Sequence, residues 1–299
     1  MIRIGVDFGG TKIEAAALDG EGRFQARVRA PNPRAYEASL TVVSNLVREV
    51  ETQAGAGGSV GVGSPGSISR RSGTIRNANS IWLNGRRFKE DLERVLNRPI
   101  RLANDANCFA LSEAIDGAAK GASVVFGAIL GTGCGGGVVV DGRALMGRNA
   151  IAGEWGHTPL PWPGPSDEPS LTCWCGRENC LELFISGTGL EQDMHRQTGA
   201  NPTAEQVVDA ARAGEPRAAA ALDRYIDRLG RALAVLVDII DADAIVLGGG
   251  MSNVAELYER VPEIVAGRIF SDAFETPILR AKHGDSSGVR GAAWLWPAS

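Results

Sequence analysis

The chain has 299 residues and a net charge of −4, with 44% hydrophobic and 22% charged residues. This balance is typical of globular domains. Acidic and basic residues are mixed along the chain, so no basic stripe is present to bind a nucleic-acid backbone. No apolar run approaches the ~20 residues that a membrane-spanning helix needs. We therefore expect a cytoplasmic protein, of one large or two smaller domains, that binds neither nucleic acid nor membrane.

Residues 1–118 have the pattern of an α/β domain. The first strands alternate apolar and polar residues and are joined by glycine-containing turns, which indicates an antiparallel meander. Apolar residues at helical spacing follow, and two more strands precede a second helix. The predicted elements are strands over 2–7, 12–18, 24–28, 60–62 and 99–103 and helices over 36–50 and 105–118.

The pattern restarts in the second part of the chain. A strand over 123–130, a glycine-rich turn at Gly131–Gly137 and a strand over 138–141 repeat the arrangement of the opening hairpin. This weak internal repeat indicates two similarly built domains. The later predicted elements are helices over 204–213, 218–240 and 252–265, the last capped by Ser252, and a strand over 244–247. We expect domains at 1–118 and 119–285, with a C-terminal helix, 286–299, joined to the first domain.

Three glycine-rich turns follow predicted strands and are candidates for binding the phosphates of a nucleotide. Glycine lets backbone N–H groups approach an anion closely, and threonine adds a hydroxyl donor. Hairpins also need glycine, so one such turn is weak evidence, whereas three favour a nucleotide. None has the spacing of a Walker P-loop, and no Gly-x-Gly-x-x-Gly opens the first helix as in dinucleotide-binding folds. The candidate residues are Gly9, Gly10, Thr11 and Lys12 in the first turn, Thr132 and Gly133 in the second, and Gly248 and Gly249 in the third.

Two aspartates lie at the ends of predicted strands. Asp7 is placed to orient Mg²⁺ through water, and it is equally suited to accept hydrogen bonds from the N–H groups of its own turn. Asp105 follows the strand over 99–103 and starts a helix. From this segment alone an N-cap is the favoured role of Asp105. The alternative is a general base that takes a proton from a substrate hydroxyl.

Three cysteines and a histidine have the composition of a structural zinc site. Cys173, Cys175 and Cys180 form a Cys-x-Cys-x₄-Cys run, and His157 lies a short loop upstream. Thiolates and imidazole suit Zn²⁺, and four such ligands fill a tetrahedral shell. Disulfides are the alternative. Because the chain enters a strand directly after Met1, we expect no secretory signal, reduced cysteines and a bound metal.

Two glutamates flank these ligands. Glu154 precedes the histidine and Glu182 follows the last cysteine, so metal binding would bring polar side chains close together. Solvated surface charge is the ordinary role of a glutamate, and closeness to the metal makes that role less favoured here. The remaining cysteines, Cys108 and Cys134, lie in apolar or glycine-rich runs and are expected to be inert core residues.

Taken together, these segments resemble the ROK family of sugar kinases and regulators over almost the whole chain. The resembling segments are Asp7–Lys12 and Gly131–Gly133 for its phosphate turns, Leu102–Asn107 for its catalytic segment, Glu154–His157 with the three cysteines and Glu182 for its signature and zinc site, and Leu247–Gly250 for its adenosine turn. More narrowly, Asn77–Asn84, Cys173–Gly176 and Lys282–Trp296 resemble the bacterial fructokinases of this family that also accept mannose.

The resemblance implies an α/β protein with the actin-like ATPase (ribonuclease H-like) fold, in which two α/β domains enclose a cleft and a zinc-binding loop spans 157–180. It also implies ATP, Mg²⁺ and a structural Zn²⁺ as cofactors, and a homodimer. By family analogy Asp105 becomes the expected general base. The residues expected to bind sugar hydroxyls are Asn104, Asp105, Glu154, His157 and Glu182. In this analogy His157 serves twice, with one ring nitrogen on zinc and the other toward the sugar.

The implied activity is ATP-dependent phosphorylation of the C6 hydroxyl of D-fructose, and also of mannose. Glucokinase or N-acetylhexosamine kinase activity is the alternative, because these sugars present similar hydroxyls to the same acids. A sugar-responsive repressor would need a helix-turn-helix domain, for which we expect no room before Asp7. A non-catalytic sugar sensor or actin-like ATPase is a more remote alternative. Trp155 lies where many family members have histidine, which makes it a candidate for altering sugar preference.

Overall fold

The structure, a computed structural model, describes residues 1–167 and 170–297. The strands are β1 Arg3–Phe8, β2 Lys12–Leu18, β3 Phe24–Pro31, β4 Ser59–Ser64, β5 Ser67–Ile68, β6 Ile75–Arg76, β7 Ile100–Asn104, β8 Val124–Leu130, β9 Cys134–Val140, β10 Arg143–Ala144, β11 Ala244–Gly248 and β12 Ile278–Arg280. The helices are α1 Tyr36–Ala54, α2 Phe88–Leu96, α3 Asp105–Ile115, α4 Glu182–Ile185, α5 Gly187–Thr198, α6 Ala204–Arg212, α7 Pro216–Ile240, α8 Glu256–Ala266 and α9 Ser287–Trp294. Across the described residues, no helix combines the length and apolar character needed to cross a membrane.

The chain divides into two compact units. Unit 1 contains Met1–Ser123, Gly137–Ala152 and the chain from Lys282 onwards, and unit 2 contains Val124–Gly136 and Gly153–Ala281. This division differs from the single boundary expected after residue 118. The chain leaves unit 1 at Val124 but returns to it at Gly137, within β9. There the backbone of β9 packs directly on α3, with no space for a side chain at Gly137.

The sheet of unit 1 has the strand order β3-β2-β1-β4-β7. β1, β2 and β3 pair antiparallel, as the alternating opening sequence predicts, whereas β1, β4 and β7 pair parallel. Parallel strands end at the same edge of a sheet. The aspartate near the end of β1, Asp7, and the asparagine that ends β7, Asn104, therefore lie on one edge.

The core of unit 1 fills the space between this sheet and helices α1 and α2. Helix α1 buries Leu40, Val43 and Val47 at helical spacing. Phe8 of β1 meets Phe88 of α2 edge to face, with ring centroids 4.9 Å apart. Helix α2 was not predicted from the sequence, because its short apolar stripe is interrupted by charged residues.

Helix α9 packs on the sheet and on α3 of unit 1, with backbone against backbone. A Cβ at Gly5 or Gly61 of the sheet would lie 1.9 Å from a carbonyl oxygen of α9, and one at Gly291 would lie 1.7 Å from the carbonyl oxygen of Cys108 in α3. Only glycine permits this approach. Helix α9 is therefore fixed between the sheet and α3. The helix expected over 286–299 is shorter, because α9 runs only from Ser287 to Trp294. Residues 298 and 299 lie outside the described residues.

The far end of α3 is joined to α9 by charged groups. Burial opposes ionisation of Asp116, but hydrogen bonds from His283 and Arg290 outweigh it and hold the pKa of Asp116 below its ordinary value. Glu113 is fully buried and accepts the backbone N–H groups of Lys282 at 3.0 Å and His283 at 3.2 Å. These bonds anchor the segment that leads into α9.

Unit 2 is built on parallel strands β8, β11 and β12, with β11 between the other two. Helix α7 contributes Leu229 and Leu233 to the core, and α5, α6 and α8 pack against it. The register brings together the turns that follow β8 and β11. A Cβ at Gly249, where φ is +80°, would lie 2.5 Å from the carbonyl oxygen of Leu130, so the third glycine turn requires glycine at this position.

Buried ion pairs fix the segment that precedes the three clustered cysteines. Asp167 accepts a 2.8 Å hydrogen bond from Arg228 and forms a 3.0 Å ion pair with Arg231, both on α7. Asp193 of α5 lies 3.2 Å from Arg228. Removing one member of such a network leaves an uncompensated buried charge, which is strongly destabilising. The network therefore holds this segment against α7.

Two local predictions were wrong. The turn predicted at Gly131–Gly137 is shorter, because β9 already begins at Cys134. Ser252 does not cap α8, which begins at Glu256; its hydroxyl donates instead to the carbonyl oxygen of Gly249 at 2.7 Å. Glycine is common in turns and serine is common at helix starts, which is why these predictions were made. In the folded protein, tertiary contacts override both local preferences.

Candidate active site and metal centre

The first glycine turn joins β1 to β2 and is held by Asn32. The side-chain amide of Asn32 donates to the carbonyl oxygen of Gly9 at 2.7 Å. The backbone N–H of Asn32 donates to the carbonyl oxygen of Thr11 at 2.8 Å. The amide oxygen accepts the Ser39 hydroxyl at 2.8 Å. Asn32 thus fixes the turn that carries Thr11 and Lys12. Sequence reasoning missed Asn32, because two strands separate it from the turn and it has no motif of its own.

Asp7 lies among other acidic groups at the end of β1. Burial, and then the carboxylates of Asp105 and Glu14, raise the pKa of Asp7 to about 6. Helix α9 leaves room for this side chain, since a Cβ at Gly288 would lie 2.8 Å from Asp7 Oδ2. Mutually repelling carboxylates favour a nearby cation. The donor set therefore fits Mg²⁺, which prefers oxygen ligands.

Asn104 and Asp105 mark the junction between β7 and α3. The N-cap is Asn104, whose Oδ1 accepts the backbone N–H of Ala106 at 2.8 Å and whose Nδ2 donates to the carbonyl oxygen of Gly66 at 3.1 Å. Asp105 is the first helical residue, and its Oδ1 also lies 2.8 Å from the N–H of Ala106. The cap considered for Asp105 is thus the role of its neighbour. Asp105 itself lies at the positive end of the α3 dipole.

His157, Cys173, Cys175 and Cys180 come together as one cluster. Their ligand atoms all lie within 4.8 Å of one another. Cys175 Sγ and Cys180 Sγ are 3.6 Å apart, and Cys173 Sγ is 3.7 Å from His157 Nδ1. Two sulfurs at about 2.3 Å from a tetrahedral zinc are separated by about 3.8 Å. The four residues therefore fit Zn²⁺.

The chain around these ligands is a short, tightly bonded loop. The backbone N–H of Cys173 donates to the carbonyl oxygen of Arg177 at 2.8 Å, and Gly176 turns the chain with φ +83°. Burial and the neighbouring thiols raise the pKa of Cys180 to about 12. Metal binding must therefore displace a proton from this thiol. We call the segment Cys173–Cys180, together with His157, the metal knuckle.

The two cysteines outside the metal knuckle are buried. Burial raises the pKa of Cys108 and of Cys134 well above the ordinary value. A buried protonated thiol is a poor nucleophile and a poor metal ligand. This agrees with their expected role as core residues.

Glu182 lies between the metal knuckle and the second glycine turn. Its Oε1 accepts the indole N–H of Trp174 at 2.7 Å, and its Oε2 accepts the backbone N–H of Cys134 at 3.0 Å. A Cβ at Gly133 would lie 2.7 Å from Oε2. Gly133, predicted as an ATP contact, thus has a second reason to be glycine. Sequence reasoning did not single out Trp174, although its position between two predicted metal ligands was an available signal.

Glu154 is exposed immediately before a short 3₁₀ helix, Trp155–His157. Trp155 is buried, donates its indole N–H to the carbonyl oxygen of Gly135 at 2.9 Å and meets Phe126 edge to face at 5.2 Å. A Cβ at Gly136 would clash with its ring. Trp155 is therefore a packing residue beneath β9, and any influence on sugar preference acts through that packing.

The second and third glycine turns lie side by side in unit 2. The carbonyl oxygen of Gly131 accepts the N–H of Gly187 at 2.7 Å, which ties the second turn to the start of α5. Thr132 and Gly249 are exposed, whereas Gly248 is buried as the last residue of β11. The exposed members are the ones available to a ligand.

Comparison with known proteins places these features in a family. The ROK family profile matches residues 3–299. The chain is 41% identical over 296 residues to the N-acetyl-D-glucosamine kinase of Pectobacterium atrosepticum, covering 97% of each chain. The structure is similar to the ROK hexokinase from Thermus thermophilus, with a TM-score of 0.88 and 33% identity over 99% of this chain and 97% of that one. It is also similar to a ROK family glucokinase from Streptomyces griseus in complex with glucose and AMPPNP, with a TM-score of 0.78 and 28% identity over 99% of each chain.

These matches extend over both units and over each of the segments on which the resemblance was based. They confirm the predicted α/β class with the actin-like ATPase fold. The candidate site residues lie at or beside the ends of strands, in the metal knuckle, and next to it at Glu154 and Glu182. The chain belongs to the ROK family.

Proposed function

We propose that this protein is an ATP-dependent sugar kinase that phosphorylates the C6 hydroxyl of an N-acetylated hexose, N-acetyl-D-glucosamine. The observation that carries the proposal is the 41% identity to an N-acetyl-D-glucosamine kinase over 97% of both chains. Unit 1 supports a kinase independently, since it combines a glycine turn, a carboxylate at a helix start and a cluster of acidic groups.

The glycine turns are the proposed ATP site. Gly9, Gly10, Thr11 and Lys12 in unit 1, and Thr132, Gly133 and Gly249 in unit 2, would supply N–H, hydroxyl and ammonium donors suited to phosphate oxygens, while the buried Gly248 leads into the third turn. Asp7 would hold Mg²⁺ through water, and the ion would neutralise phosphate charge during transfer. The similar Streptomyces griseus structure contains the ATP analogue AMPPNP, which supports this assignment.

Asp105 is the proposed general base. Its carboxylate would accept the proton of the C6 hydroxyl as that oxygen bonds to the γ-phosphorus of ATP and the bond to ADP breaks. Asn104 fixes the start of α3, which keeps Asp105 in place. Glu154, His157 and Glu182 would bind the other sugar hydroxyls and orient the acceptor, because positioning supplies much of the acceleration in phosphoryl transfer.

The metal knuckle would hold a structural Zn²⁺. With four protein ligands the ion has no open position for a reacting water. Its contribution would be to fix His157 and the loop that precedes Glu182. We assign it no chemical step.

We prefer an N-acetylhexosamine as substrate to the fructose that the short sequence resemblance suggested. The fructokinase reading rested on short segments such as Asn77–Asn84, where Asn84 and Ala78 exchange hydrogen bonds of 2.9 and 3.0 Å within one loop. The polar groups of this loop that bond to one another have a structural role, so the segment is weaker evidence for a substrate than similarity over the whole chain. N-acetylglucosamine is therefore preferred to fructose, mannose and glucose.

The test is ADP release with Mg-ATP and one sugar at a time. The panel contains N-acetylglucosamine, N-acetylmannosamine, glucose, fructose and mannose. We expect the highest kcat/KM with N-acetylglucosamine. A higher value with fructose would restore the fructokinase reading, and no turnover with any sugar, in protein shown to contain zinc, would overturn the kinase proposal.

A further inference from the structure

Trp174 links the metal knuckle to Glu182. It lies between two predicted zinc ligands, Cys173 and Cys175, and its indole N–H donates to Glu182 Oε1 at 2.7 Å. The other carboxylate oxygen accepts the backbone N–H of Cys134. Both oxygens of Glu182 are thus bound, one from the metal knuckle and one from the start of β9. A carboxylate held at both oxygens has a defined plane and direction.

Trp174 also contacts the second polar residue predicted to bind sugar in this region. Its ring lies 5.0 Å from that of His157, in an edge-to-face arrangement at 84°. Yet the Trp174 side chain is 67% exposed. Core packing does not account for a tryptophan in this position, in contrast to the buried Trp155. The exposed indole contacts Glu182 and His157, and its position is better explained by the sugar that these two side chains are proposed to bind.

We propose that Trp174 is a positioning residue that orients the Glu182 carboxylate for the sugar. The inference rests on the proposed function, because it takes Glu182 as a sugar ligand. Trp174 acts through Glu182 and takes no part in proton transfer. A closed metal knuckle would place the indole at the carboxylate, so the metal site would contribute to sugar affinity through this hydrogen bond.

The decisive variant is Trp174→Phe, which keeps an aromatic ring but lacks the N–H donor. Loss of a hydrogen bond to a charged group at a partly exposed site predicts a KM for N-acetylglucosamine that is about 5- to 20-fold higher. The KM for ATP, the kcat and the zinc content should stay close to the wild-type values. A merely structural role would instead lower kcat, zinc content and thermal stability together.

Trp162→Phe is the matched control. Trp162 lies in the same unit and is 53% exposed, but it is outside the metal knuckle. We expect this variant to have wild-type kinetics. Trp174→Ala should raise the sugar KM at least as much as Trp174→Phe, because it removes the ring as well as the donor.

Tryptophan fluorescence supplies a readout without turnover. Addition of N-acetylglucosamine in the absence of ATP should change the emission of wild type and of Trp162→Phe, and the change should be absent or much smaller in Trp174→Phe. Unchanged sugar KM in Trp174→Phe, or loss of zinc from that variant, would overturn the positioning role.

The outcomes separate this inference from the proposed function. If wild type prefers another sugar of the panel, the same variants are measured with that sugar, and a rise in its KM confined to Trp174→Phe supports the positioning role. If wild type neither turns over nor binds any sugar of the panel, both proposals fail. If wild type is active and Trp174→Phe matches it, the positioning role alone fails.

Discussion

The two proposed functional carboxylates, Asp105 in unit 1 and Glu182 in unit 2, are held by different means. Asp105 begins a helix that packs on α9 through glycine contacts with no space for a side chain. Glu182 follows an irregular loop and is oriented by hydrogen bonds from Trp174 and Cys134. Regular secondary structure fixes the first, and a loop closed by metal ligands fixes the second.

The surroundings of the two carboxylates also differ in charge. In unit 1, the carboxylates of Asp105 and Glu14 add to the effect of burial in raising the pKa of Asp7, which favours a nearby cation. In unit 2, Glu182 is bound by neutral N–H donors. The proposed base should therefore tolerate loss of a metal from the knuckle, whereas the proposed sugar ligand should not.

The largest expected effect is on turnover when the proposed base is removed. Asp105→Asn should lower kcat by about 10²- to 10⁴-fold, the range for loss of general-base catalysis, while N-acetylglucosamine still binds. Steady-state kinetics and calorimetric sugar binding measure the two quantities. Asp116→Asn, at the other end of α3, is the control and should lower thermal stability without a comparable loss of kcat. Near-normal turnover of Asp105→Asn would refute the assignment.

Removal of the metal should damage the sugar site and spare the ATP site of unit 1. Chelation, or Cys175→Ser, should weaken sugar binding by about 10- to 100-fold, the cost typical of disturbing the supports of a metal site, and abolish activity at ordinary sugar concentrations. Separate titrations with sugar and with Mg-ATP distinguish the effects. Restoration by added zinc is the control for chelation. Full sugar affinity in verified metal-free protein would contradict the contrast.

Gly133→Ala should move Glu182 without touching the metal. Its Cβ would lie 2.7 Å from Glu182 Oε2, so the carboxylate must shift away from its hydrogen-bond donors. We expect the sugar KM to rise about tenfold, as for loss of a charge-assisted hydrogen bond. The matched control is Gly131→Ala, where a Cβ would meet no atom within 4 Å. Gly131→Ala should leave the sugar KM unchanged, whatever its effect on the KM for ATP. An equal rise of the sugar KM in both variants would argue against a steric displacement of Glu182.

The effect with the least consequence for turnover is on the pH dependence of stability. Burial first, then Asp105 and Glu14, raise the pKa of Asp7 from 3.8 to about 6 in the folded protein. Below pH 4 both states are protonated. Between pH 4 and 6 only the folded state keeps the proton, so the free energy of unfolding falls as pH rises. The cost reaches at most about 3 kcal/mol above pH 6.

Asp7→Asn should therefore be more stable than wild type at pH 7.5 without Mg²⁺, and the difference should shrink toward pH 4. Thermal unfolding across this range measures it, with the exposed Asp272→Asn as control. A difference that is independent of pH would contradict the account of the acidic cluster.

Much of the fold could be predicted because its signals are local. The strand predicted over 12–18 is β2, and the helix predicted from Tyr36 is α1, since alternation and helical spacing are properties of neighbouring residues. The candidate zinc ligands were recognisable because three of them lie within one short run. Family and fold followed from motifs distributed over the whole chain.

The supports of the site could not be predicted because they depend on distant contacts. Asn32 holds the first glycine turn, and Gly66 receives Asn104, yet neither has a local signal. Gly133 was correctly singled out, but sequence gave no hint that the Glu182 carboxylate occupies the space beside it. The choice between Asn104 and Asp105 as cap depended on one hydrogen bond to Ala106. The fructose preference was inferred from short segments, whereas similarity over the whole chain favours the N-acetylhexosamine alternative.

The most direct test is a competition among sugars for the wild-type enzyme. Zinc-verified protein is incubated with limiting Mg-ATP and equimolar N-acetylglucosamine, glucose, fructose and mannose, and the products are identified by NMR. The product ratio gives the ratio of kcat/KM values. The account predicts that N-acetylglucosamine 6-phosphate predominates at least tenfold, a margin within what a few differential hydrogen bonds supply. Fructose 6-phosphate as the main product, or no sugar phosphate at all, would contradict it.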